Sequence, residues 1–148
     1  MSKNVEWERY SDPNPSIIQL AYFKSAKKVK IEETAKKLVF DKLTKRPKFQ
    51  YKIRLNYNGK KASFKKFYDI PMLNVQQKSE AFRDILRDAL LAVNFKTPEK
   101  IAETLKINTK DAKKMLTELE ITLVKVSELF GSENIPGIYS EFMSRLKT

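Results

Sequence analysis

The chain has 148 residues with no cysteine, no histidine and three glycines, and a formal net charge of +12. This excludes a disulfide framework, a thiolate metal site and imidazole acid–base chemistry, while a hydrophobic fraction of 41% excludes a disordered basic tail. Residues 24–66 hold 16 Lys or Arg against three acids, Glu32, Glu33 and Asp41, and the remainder holds 14 basic and 15 acidic residues, so the charge excess is local.

In chain order, residues 1–16 read as irregular, with Trp7 and Tyr10 packing around the turn-forming Asp12-Pro13-Asn14-Pro15. Residues 16–23 form an apolar run that suits either strand or helix. From residue 31 to 44, Ile31, Ala35, Leu38, Val39 and Leu43 fall on one helical face, so an amphipathic helix is expected with Lys36, Lys37 and Lys42 outside.

Residues 49–68 predict a β-hairpin. Phe49, Tyr51, Ile53, Leu55 and Tyr57 alternate with polar residues, and Asn58-Gly59 suits the positive φ angles of a two-residue turn. That turn sets Tyr57 against Lys60, Leu55 against Ala62 and Ile53 against Phe64 on an apolar face. The other face gathers Lys48, Gln50, Lys52, Arg54 and Asn56 with Lys61, Ser63, Lys65 and Phe67. Lys52 then opposes Lys65, a like-charge pair that folding alone disfavours.

Beyond Pro71 the chain reads as helical. Ser79 is expected to cap a helix burying Phe82, Ile85, Leu86, Ala89, Leu90 and Val93. Thr97-Pro98 opens a short helix, and Thr109 opens a long one that stops at Gly131. On the long helix Ala112, Leu116, Leu119, Leu123, Val126 and Phe130 repeat at spacings of four and three, the pattern of a coiled-coil seam; it predicts a homodimer joined through residues 109–130. A last apolar segment follows Pro136-Gly137.

The expected fold is α+β: a small antiparallel sheet with one basic face packed on helices, then a helical C-terminal half containing the zipper-like helix. One domain is expected over 1–148, with a basic α+β part over 1–95 and a helical part over 96–148. No apolar run reaches the ~18 residues of a membrane helix, and the first residues lack the apolar core of a secretory leader, so a cytoplasmic protein with no membrane partner is expected.

The expected partner is nucleic acid, single strands preferred, because lysines can track phosphates while unstacked bases lie on exposed rings. The binding set is Lys45, Arg46, Lys48, Gln50, Lys52, Arg54, Lys61, Ser63, Lys65 and Phe67, with Trp7 and Tyr10 as further rings from the N-terminal arm. Residues 98–119 also read as a helix-turn-helix whose Asn108, Thr109, Lys110, Lys113 and Lys114 would face duplex DNA. A protein that coats packaged nucleic acid is a third possibility. Asp41 followed by Gln50-Tyr51-Lys52 is a loose variant of an acidic-x-Lys nuclease pattern that lacks its second acid, so no catalytic residue, metal ligand or cofactor is expected. The order of elements over roughly residues 48–130, basic hairpin, amphipathic helix, long zipper-like helix, resembles the archaeal single-stranded-DNA-binding family of ThermoDBP and its relatives. That resemblance implies single-strand binding and carries over no individual residue.

Overall fold

The computed structural model describes residues 7–23, 25–41 and 45–146. It is an α+β fold whose five strands form one antiparallel sheet: β1 (Glu8–Arg9), β2 (Ser16–Gln19), β3 (Lys28–Asp41), β4 (Arg46–Tyr57) and β5 (Lys60–Tyr68). Four helices follow, α1 (Val75–Asn94), α2 (Pro98–Leu105), α3 (Thr109–Phe130) and α4 (Ile135–Leu146). The apolar run after Pro15 begins as a strand, β2. The chain divides into two compact units, residues 1–19 with 25–82, and residues 20–24 with 83–148. The division falls inside α1 and not at residue 95.

The β4–β5 hairpin has the register that its turn dictates, from Tyr57 opposite Lys60 to Phe49 opposite Tyr68. Asn58 and Gly59 both take positive φ, 51° and 84°, which matches the twist of the flanking strands. Inner-face residues Val29, Ile31, Tyr51, Ile53, Leu55, Tyr57 and Phe64 are buried and form the sheet's share of the core.

The helix expected over 31–44 is instead the central strand. β3 pairs with β4 along its whole length, and with β2 and then β1 on its other edge. A β-bulge lies between Glu33 and Ala35. It explains the misleading pattern: one extra residue reverses the alternation midway, so Ile31, Ala35 and Leu38 acquire a helix-like spacing. Side chains stabilise the bulge. The Glu33 N–H donates to Asp12 at 3.1 Å, and the Thr34 hydroxyl donates to the Lys52 carbonyl at 3.3 Å. Residues 42–44 of the expected helix lie outside the described residues.

Helix α1 starts one turn before the expected Ser79 cap. Asn74 and Gln77 cap it reciprocally: the Asn74 side chain accepts from the Gln77 N–H at 2.8 Å, and Gln77 accepts from the Asn74 N–H at 2.9 Å. Ser79 lies in the second turn, its hydroxyl 3.1 Å from that of Ser16 on β2. Phe82, Ile85, Leu86 and Ala89 are buried as expected, whereas Val93 is exposed. Thr97 caps α2, accepting from the Lys100 N–H, and Asn108 caps α3. Among the described residues no helix is long and apolar enough to cross a membrane.

The seam of α3 is used inside its own unit. Ala112, Leu116 and Leu119 share a buried cluster with Ala92 of α1 and Ile101 of α2, and Leu123 packs against it. Val126 and Phe130 are buried as well. The 4-3 stripe therefore forms part of the core of a helical unit, while Met115, Ile121 and Val124 of the same helix are exposed.

Candidate nucleic-acid interface

Strand pairing places the outer face of the sheet in rows across β3, β4 and β5. From the hairpin end these are Lys30–Asn56–Lys61, Glu32–Arg54–Ser63, Ala35–Lys52–Lys65 and Lys37–Gln50–Phe67, followed by Val39–Lys48 and Asp41–Arg46. Arg9 on β1 extends the third row beyond Ala35. Lys48, Gln50, Lys52, Arg54, Lys61, Ser63, Lys65 and Phe67 thus share one surface, as the sequence predicts. Phe67, on the edge strand β5, is 54% exposed. Arg46 begins β4 opposite Asp41, and Lys45 precedes it at a positive φ of 58°.

Not all of this charge is available to a partner. Lys48 pairs with Asp41 at 3.1 Å. Glu32 takes Lys30 at 2.8 Å and Arg54, whose Nε also donates at 2.8 Å. Among the described residues, Arg9, Lys37, Lys52 and Lys65, in the third row and its neighbour, have no carboxylate partner, and neither has Lys61 in the first row. Desolvation, and then the cations Arg9, Lys65 and Lys37, hold the Lys52 ammonium below the ordinary lysine range. Arg9 and Lys37 do not stand out in the sequence, because β3 reads there as a helix and β1 as irregular. The alternation of Lys28, Lys30 and Glu32 with Val29 and Ile31 is the signal that marks the start of β3 as a strand.

Trp7 joins this cluster. Its ring centroid lies 4.7 Å from Lys37 Nζ and 4.6 Å from Lys52 Nζ, within cation–π range of both. Tyr10 does not join it. Its hydroxyl donates to Glu33, which the register places on the inner face.

No protein-family model, curated protein or solved structure matches this chain.

The other sequence candidates are placed less favourably. Asp41 lies six pairs along β3 from Ala35, the partner of Lys52, a distance of roughly 20 Å at strand rise. It cannot share a metal with a group beside Lys52. On the helical unit Thr109, Lys110, Lys113 and Lys114 are exposed. Asn108, the side chain there best suited to reading a base edge, is engaged as a cap, accepting from the Asp111 N–H at 2.8 Å and donating to the Asp111 carboxylate at 3.0 Å.

Inside the sheet unit a second polar cluster holds the N-terminal arm. Lys78 of α1 pairs with Asp12 at 2.6 Å, both side chains nearly buried, and donates to the Asn14 carbonyl at 2.8 Å. Burial raises the Asp12 carboxyl, but Lys78 and the Glu33 and Asn14 N–H groups outweigh it, so its pKa falls. Burial pushes the neighbouring Glu33 the other way, above the ordinary range, against the pull of Lys78 and Lys36.

Proposed function

We propose that this protein binds single-stranded nucleic acid, DNA or RNA, without catalysis and with little sequence preference, through the outer face of its sheet. The observation that carries this reading is the group Arg9, Lys37, Lys52 and Lys65, without a carboxylate partner among the described residues, with Trp7 against Lys37 and Lys52. Lys52 directly opposite Lys65 costs a fraction of a kcal/mol, roughly 0.2–1, in an isolated sheet. A phosphate between them removes that repulsion and releases its condensed counterions. A sheet face carrying the exposed Phe67 ring and the half-buried Trp7 suits unpaired bases, since a duplex keeps its bases stacked away from any side chain outside the grooves.

The test is a competition titration with single-stranded DNA, single-stranded RNA and duplex at several salt concentrations. Single strands should win, with log K falling linearly in log salt. The double change Lys52→Glu with Lys65→Glu should weaken binding at least tenfold for every base sequence. Unchanged affinity in that variant would remove this face from the site.

A further inference from the structure

We infer that Trp7 and Phe67 form a platform for two successive unpaired bases, one on each ring, with the intervening phosphate held by Lys52 and Lys65. The inference rests on the reading of the outer face as a single-strand surface and specifies how that surface takes its ligand. Phe67 on β5, Gln50 on β4 and Lys37 on β3 occupy one row, and Lys65, Lys52 and Ala35 the next. Trp7 directly precedes Glu8, the partner of Lys36, so it continues the line of β1, and its ring stands against the ammonium groups of both Lys37 and Lys52. Phe67 stands on the same surface from the other side, on β5, two strands beyond β3 and so roughly 10 Å from Lys37 at the spacing of neighbouring strands. Bases splayed from consecutive nucleotides span that gap, which is how exposed rings on other sheet surfaces take two or three bases.

The lysines fit the same geometry. Lys52 and Lys65 face each other in the row beside Phe67, next to the path between the two rings. An extended strand crossing from Trp7 to Phe67 brings a phosphate to that like-charged pair. Trp7 itself is delivered by the chain's own pairing. The two residues that follow it, Glu8 and Arg9, pair with Lys36 and Ala35 on β3, and the Tyr10 N–H donates to the Thr34 carbonyl at 3.0 Å. The bulge at Glu33–Ala35 thus fixes where the arm docks and hence where the ring stands.

Trp7 is the single tryptophan of the chain, so the platform reports on itself. The full-length protein is titrated with labelled oligothymidine, following probe anisotropy and tryptophan emission together, and separately with heparin, a polyanion without bases. Oligothymidine is expected to quench the emission in step with binding, and heparin to bind with little quenching. Trp7→Ala and Phe67→Ala should each weaken oligothymidine binding roughly 5- to 150-fold, the range for one lost base stack, with the salt slope kept. Heparin affinity should be unchanged in both, and Trp7→Phe should recover most of the loss. Abasic strands carrying two thymines should bind best when the two are adjacent. Salt-dependent oligothymidine binding without quenching, with both alanine variants within twofold of wild type, would overturn the platform and leave the electrostatic face standing. No binding of any single strand would overturn the face as well.

Discussion

Lys78 shows how much of the arm's position depends on single residues. It joins α1 to Asp12 and to the Asn14 carbonyl, while Asp12 in turn holds the Glu33 N–H of the bulge. Lys78→Met leaves Asp12 a buried charge without its partner and is expected to cost about 3–5 kcal/mol at neutral pH. The pH dependence follows from the lowered Asp12 pKa. Its stabilising contribution is present above the ordinary aspartate range and is lost as pH falls through the folded value. In the variant the stranded carboxylate is relieved by protonation, so urea melts at pH 7 and pH 3 should show the gap narrowing in acid. Glu33 has the opposite sign. Its raised pKa means that ionisation costs the fold at neutral pH and that acid relieves this cost. Glu33→Gln is therefore expected to be at least as stable as wild type at pH 7, with any advantage vanishing below the ordinary carboxylate range. A variant that melts lower at pH 7 but not at pH 3 would reverse that sign.

At the scale of elements, legibility followed the strength of local chemistry. Asn58-Gly59 admits one register, and the pairing of Lys52 with Lys65 and the outward Phe67 follow from it residue by residue. β3 was not legible in the same way, since its bulge breaks the alternation and its pairing partners lie before and after it in sequence. With β3 misread, Lys37 moved out of the basic surface and Arg9 had no strand to dock on. On α3 a periodic stripe is visible in the sequence, but not what covers it: over roughly three heptads a dimer seam of period ~3.5 and a core-facing helix of period ~3.6 give nearly the same stripe. Ala92 and Ile101, from two other helices of the same unit, pack against Ala112, Leu116 and Leu119. Leu119→Lys with Leu123→Lys is accordingly expected to unfold the helical unit, at several kcal/mol for charge placed in an apolar cluster. Circular dichroism would show the loss of helix. A folded double variant with unchanged ellipticity would return the stripe to an intermolecular role.

The whole molecule divides its charge as it divides its structure. The sheet unit carries 18 basic and eight acidic residues, and the helical unit 12 and ten, so long-range attraction for a polyanion originates almost entirely in the first. This gives a comparison between the two surfaces that does not depend on absolute affinity. Each phosphate neutralised on a single strand contributes about −0.7 to the slope of log K against log salt. Lys37→Gln with Lys52→Gln removes two contacts of the sheet face, and the slope should flatten by about 1.4. Lys110→Gln, Lys113→Gln and Lys114→Gln together remove the exposed cations at the start of α3, and the slope should remain that of wild type. Glutamine keeps polarity and most of the side-chain length, so both variants leave the two cores intact, and circular dichroism checks that they do. If the helical triple flattens the slope and the sheet double does not, the contact surface moves to the α2–α3 pair. The duplex-binding reading of residues 98–119 would then displace the basic sheet.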